Sequence, residues 1–156
     1  MNMSNRCPEC GAARQAERTC QDDFHEMLVW ESEHPEFARE VHHLTVLSYY
    51  LQHPSLYSLE GLRGAQQLLV DMLERGLSPG DVRRRDRAKV DSGKRTYKIA
   101  GTPASHATYT YPVHWPLTAA DVIAAGPAAY CDSVRAWSRS VLQALNTSSN
   151  LGPDQT

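Results

Sequence analysis

No stretch of this chain approaches the ~20 consecutive apolar residues that a bilayer-crossing helix needs, so a membrane span is not expected. The opening residues, MNMSNRCPEC, lack the apolar run of an export leader, which points to a cytoplasmic protein. An excess of one charge is also missing. Sixteen Lys and Arg stand against eighteen Asp and Glu, a formal net charge of −2 that argues against wholesale binding of nucleic acid or a membrane surface. Cysteine is scarce, at four residues, and without a secretory leader these read as reduced thiols rather than a disulfide framework. No internal repeat is evident.

What the chain does have is concentrated. Residues 5–44 hold Cys7, Cys10 and Cys20 together with His25, His34, His42 and His43. A length of 156 residues suits one domain with its own apolar core. The first nineteen residues are polar and rich in Gly, Ala and Arg, and form a loop around Cys7 and Cys10. A helical domain is expected over residues 20–145, and residues 146–156 read as a polar, flexible tail.

Helical periodicity starts at Cys20, with Phe24, Met27, Leu28 and Glu31 on one face and Asp22 and Asp23 in the first turn. Pro35 disfavours helix at His34 and opens a second helix that runs to about Gln52. Its stripe of Phe37, Val41, Leu44, Leu47, Ser48 and Leu51 marks it as the central helix. A third helix spans Leu59 to Arg75 and stops at Gly76. Residues 78–95 carry seven of the sixteen basic residues and read as a short helix plus loop. A long, Pro- and Tyr-rich connection follows, with a short strand expected at Tyr97–Ile99. Thr118 and Asp121 form a capping-box-like start to a helix that ends at Gly126. Pro127 opens the last helix, whose face is Tyr130, Val134, Trp137, Val141 and Leu145. The expected fold is all-α: an irregular bundle of four to five helices, an N-terminal zinc-knuckle loop, and a long ordered connection before the last two helices.

Cys7-Pro8-Glu9-Cys10-Gly11 has the form of a zinc knuckle. Two intervening residues let both thiolates reach one tetrahedral ion, and Gly11 permits the tight turn that aims backbone N–H groups at sulfur. A redox pair shares this spacing but should follow a strand, and none is expected here. Cys20, at a helix start, is the third sulfur, unless it serves there simply as a small apolar residue. Cys131 reads as a buried structural thiol. A structural zinc site needs a fourth ligand. With the inter-helix turn centred near residue 34, His25 and His43 lie nine residues to either side and so at one level of an antiparallel hairpin. Either completes the site, with His43 favoured over His42, which shares a side with Val46, Tyr49 and His53.

Two further features invite a second reading. Glu31 sits on an apolar stripe, as a ligand, a base, an orienting carboxylate or a rim residue. His114 is held between Pro112 and Pro116, where it either packs over the bundle or joins His25 and His43 around an open metal position. The run Arg83-Arg84-Arg85-Asp86-Arg87 is a solvated helix face or, less in keeping with its mixed charge, a phosphate-contacting patch.

The strings C-P-E-C-G-A, C-Q-D-D-F-H, V-H-H-L-T-V-L-S-Y-Y-L-Q-H-P and P-V-H-W-P resemble an uncharacterised bacterial family of small cytoplasmic proteins, a domain of unknown function, over residues 5–145. The resemblance implies that Cys7, Cys10, Cys20, His25, His43 and His114 are characteristic positions, and brings no activity with it. A looser similarity is to DinB-like bundles, which hold metal through histidines on different helices but lack the cysteine knuckle. Three functions are expected in descending order: a zinc-stabilised helical binding protein, a metal-dependent hydrolase-like enzyme using His25, His43, His114 and Glu31, and a nucleic-acid accessory protein. Partners are not identified by the sequence, and a homo-oligomer stays open.

Overall fold

The computed structural model describes residues 5–14, 17–92 and 99–151, with residues 89–92 described by backbone alone. Six helices are found among them: α1 (Cys20–Glu33), α2 (Pro35–Leu51), α3 (Leu59–Glu74), α4 (Pro79–Ser92), α5 (Ala119–Ala125) and α6 (Tyr130–Thr147). Short 3₁₀ turns at Pro54–Leu56 and Pro127–Ala129 precede α3 and α6. No strand occurs among the described residues, where pairing is limited to isolated bridges such as Arg6 with Ala13 and Tyr57 with Ala100. The fold is all-α, with a Cys-rich N-terminal loop. Among the described residues no helix is long and apolar enough to cross a membrane.

The helix starts follow local chemistry. Thr19 caps α1: its Oγ1 accepts the Asp22 N–H at 3.2 Å while its own N–H donates to the Asp22 carboxylate at 2.8 Å. Pro35 occupies the first turn of α2, leaving His34 alone as the link between the first two helices. Ser58 Oγ accepts the Gly61 N–H at 3.0 Å to start α3. The Thr118 N–H donates to Asp121 at 2.8 Å at the start of α5.

α2 is the central helix, in contact with α1, α3, α4 and most extensively α6. The α6 face of Tyr130, Val134, Trp137, Val141 and Leu145 is at most 1% exposed, and burying such side chains contributes about 1.5–3 kcal/mol each. The Trp137 indole N–H donates to Gln52 Oε1 at 3.2 Å, and Gln52 Nε2 donates to the Leu117 carbonyl at 2.7 Å. Thus α6, the end of α2 and the long connection are tied through one buried amide.

That connection is a strap. The Ser58 N–H donates to the Ile99 carbonyl at 2.8 Å, the Gly101 N–H to Leu56 at 3.0 Å, and the Ala107 N–H to Tyr57 at 2.8 Å. The approach is so close that a Cβ on Gly61 would meet the Ile99 oxygen at 2.3 Å, and one on Gly101 would meet the Tyr57 oxygen at 2.5 Å. Residues 97 and 98 of the strand expected at Tyr97–Ile99 lie outside the described residues, as do residues 152–156 of the tail. The last helix continues past Leu145 to Thr147, and Asn150 exchanges hydrogen bonds with the Tyr111 backbone at 3.1 and 2.9 Å. Residues 79–92 form a helix, and residues 93–95 of the stretch expected to hold a short helix and loop lie outside the described residues.

Candidate metal centre

The knuckle closes on itself before it meets the bundle. Gly11, at φ +78°, turns the chain so that its N–H donates to the Cys7 carbonyl at 2.9 Å. The Cys10 N–H then faces Cys7 Sγ at 3.5 Å, and the Ala12 N–H faces Cys10 Sγ at 3.4 Å. Backbone dipoles aimed at sulfur favour the thiolate form.

Helix packing delivers the other two groups. Phe24, one turn after Cys20, stacks on Tyr49 of α2 with ring centroids 4.2 Å apart. Tyr49 in turn lies against the His53 ring at 4.4 Å. This aromatic run sets the start of α1 beside the end of α2, and Pro54 stiffens the chain just after His53. The His53 Nδ1–H donates to the Tyr49 carbonyl at 2.6 Å, which turns Nε2 toward Cys7 Sγ at 3.6 Å.

Cys10 Sγ and Cys20 Sγ are 3.5 Å apart, and the four atoms offered by Cys7, Cys10, Cys20 and His53 all lie within 4.8 Å of one another. A tetrahedral zinc with Zn–S ≈ 2.3 Å and Zn–N ≈ 2.0 Å sets its ligands about 3.5–3.8 Å apart. All four residues are buried, at 4–8% exposure. Hydrogen bonds from Cys10 and Cys20 hold the Cys7 thiol well below its ordinary pKa, while the Cys10 thiol, bonded to Cys20 and Cys7, is pushed up. Burial opposes charge on His53, but its bonds to Cys20 and Cys7 prevail and push it up to about 10. The cluster can hold a metal ion, and a cation bound there displaces these shared protons.

The profile of DUF5946, a family of unknown function, matches residues 5–146, from the knuckle to the last turn of α6. The chain belongs to this family. No curated protein and no solved structure matches it. Among the described residues of this DUF5946 chain, the Cys7–Cys10–Cys20–His53 group is the one place where three or more such side chains converge.

The structure therefore brings together the three cysteines expected at the site, and His53 stands where His25 or His43 is expected. His25 is exposed on α1, and His43 is half-buried on α2 with Arg83 and Asp86 of α4 among its charged neighbours. The physical reason lies in the faces the side chains take. Cys20 is level with Ser48, which is five residues from both His43 and His53, so register alone does not choose between them. His25 is exposed and His43 has α4 charges around it, whereas the Tyr49 ring and carbonyl hold His53 toward Cys7. The signal in the sequence was the LQHP string, a histidine locked by proline at the end of the helix that passes Cys20.

The remaining expected residues are dispersed. His114 is exposed, and its neighbour Trp115 makes the contact, donating its indole N–H to the Glu9 carbonyl at 3.2 Å. Cys131 is half-buried rather than buried, near Glu40. In α4, Arg84 pairs with Asp81, and Arg85 reaches the buried Asp71 of α3 at 3.1 Å.

Glu31 belongs to a second polar cluster. At 4% exposure it accepts the Tyr130 hydroxyl and lies 2.6 Å from His42 Nδ1, while Thr45 Oγ1 sits 3.0 Å from the Tyr130 oxygen. Burial works to raise the carboxyl, but the bonds from His42 and Tyr130 outweigh it and hold it below its ordinary range. His42, not His43, is the histidine of the adjacent pair that addresses α1.

Proposed function

We propose that this chain is a zinc-binding helical protein of the reducing cytoplasm, in which one ion held by Cys7, Cys10, Cys20 and His53 clamps the N-terminal loop to the bundle. The observation that carries this reading is the convergence of three sulfurs and one correctly oriented imidazole nitrogen, all buried. Four protein donors fill a tetrahedral shell and leave no position for substrate, so the ion's role is structural and function rests on what the clamped surface binds. A disulfide would use two of the sulfurs and leave the third with the imidazole; a single ion uses all four. Sulfur-rich donor sets with one imidazole favour zinc over harder cations.

Elemental analysis of protein purified under reducing conditions is expected to give one zinc per chain, with an absorption-edge spectrum of three sulfurs and one nitrogen. His53→Ala should lose the nitrogen, whereas His25→Ala and His43→Ala should leave the shell intact. Metal-free protein, or a shell that changes with His25→Ala or His43→Ala, would sink the proposal.

A further inference from the structure

Cys10 and Cys20 are not equivalent to Cys7. The Cys10 and Cys20 sulfurs are 3.5 Å apart; the Cys10 N–H and His53 Nε2 face Cys7 Sγ and the Ala12 N–H faces Cys10 Sγ, so what sets Cys7 apart is access. Cys20 is the most exposed of the three at 8%, and it lines a cavity of about 420 Å³ between the knuckle, α1 and α5, where Arg14 and Arg18 also stand. Cys10 lines a second cavity of about 660 Å³ on the face closed by Trp115. Cys7 lines neither of them. Small solutes can thus approach the Cys10–Cys20 pair from two sides.

We infer that Cys10 and Cys20 form a peroxide-oxidisable pair whose disulfide expels the metal and releases the N-terminal loop. This rests on the metal reading above for its second half only. The Cys20 sulfur, at the N-terminus of α1, attacks one oxygen of hydrogen peroxide, forming an S–O bond and breaking the O–O bond with loss of hydroxide. The Cys10 sulfur then gives up its proton to solvent and attacks the Cys20 sulfenic sulfur, forming the S–S bond and displacing a second hydroxide. Two sulfurs lose two electrons, the peroxide oxygens gain them, and both hydroxides take protons from solvent to leave two waters. Zinc stays divalent throughout. Only Cys7 and His53 remain to hold it, two donors where four are needed.

The geometry demands little movement, since sulfurs 3.5 Å apart need close by only roughly 1.5 Å to reach the disulfide bond length. A thiol reductant reverses the step, so the pair returns to a metal-ready state.

The test uses the full chain carrying Cys131→Ser, which removes the one thiol outside the cluster. The protein is loaded with zinc and treated with hydrogen peroxide. Released zinc is followed with a chromogenic chelator, and cysteine pairing is read by non-reducing peptide mapping. Trypsin separates residues 7–14 from 19–39, so a Cys10–Cys20 bond joins the two peptides and fragmentation shows Cys7 still alkylatable. The expected result is one zinc released per disulfide formed, reversed by dithiothreitol. A Cys7–Cys10 loop within peptide 7–14, a Cys7–Cys20 link, or sulfinic acid without a disulfide overturns the inference. A chain that takes up no zinc fails the metal reading alone, because the pairing of Cys10 with Cys20 is read from the peptides whether or not metal was present.

Discussion

The two ends of α1 carry two buried polar clusters that solve the same problem in different ways. Cys20 at the first end and Glu31 near the other are eleven residues apart, about 16 Å along the helix. Around Glu31 every group finds a partner within the chain: a hydroxyl and an imidazole N–H meet a carboxylate, and α1, α2 and α6 are joined without outside help. Around Cys20 three sulfurs and an imidazole share contacts with one another and with backbone N–H groups, in a grouping that could hold a metal ion. One end is an ion pair and hydroxyl closed within the protein; the other is a donor set of the kind a cation takes, and on the reading proposed above a metal completes it.

The sharpest way to break this contrast is to remove the proposed ion. Chelation, or Cys20→Ser, is expected to abolish zinc binding and to cost more than about 4 kcal/mol, because metal-binding energy is folding energy at such sites. Urea titration with and without chelator measures it, and a chain equally stable in both would erase the distinction between the two ends. Next in size, His53→Ala should weaken zinc by more than about 100-fold in a competition assay, since it removes a ligand where second-sphere changes alone cost 10–100-fold. His25→Ala in the same assay should shift affinity less than about twofold, as its side chain is exposed and away from the cluster.

At the other end, Glu31→Ala is expected to cost about 3 kcal/mol by leaving the buried Tyr130 hydroxyl without its acceptor and opening a cavity. Zinc content should stay at one per chain, and a coupled loss of metal would show that the ends are not independent. The smallest effect is one of pH. Hydrogen bonding to Glu31 raises His42 above its ordinary 6.5 against the opposing effect of burial, so that group's contribution is complete below pH 6.5 and fades as pH rises through the folded value. Glu31 is lowered from 4.5, so its contribution is complete above pH 4.5 and fades in more acid solution. The stability difference between the parent and His42→Gln should therefore be greatest between pH 4.5 and 6.5 and shrink above it. A difference that grew toward alkaline pH would mean that the two side chains are not coupled as drawn.

Much of this molecule was legible in one dimension. Pro35, Gly76, Thr118 and Pro127 act on their own backbone neighbours, which is why the helix boundaries fell close to expectation. The α6 stripe follows from the 3.6-residue period and buried as read. The Cys7–Cys10 pair needed only its spacing. The histidine of the cluster was less accessible because it depends on which helix faces pack together. A level count pairs His25 with His43 and Cys20 with Ser48, which is five residues from both His43 and His53 and cannot choose between them. Glu31 could be seen as anomalous on an apolar stripe, but its partner Tyr130 lies ninety-nine residues away, and nothing local announces it.

What the sequence alone determined is therefore the all-α fold, the knuckle, and the supply of a third sulfur at a helix start, all consequences of interactions within a few residues. Tertiary structure decided which histidine meets the sulfurs, which histidine meets Glu31, and that Trp115 rather than His114 closes over the knuckle. The first rests on the Phe24–Tyr49–His53 stack, the second on the contact of α1 with α2 at Glu31 and His42, and the third on the hydrogen bond from Trp115 to Glu9, none of which a local pattern announces.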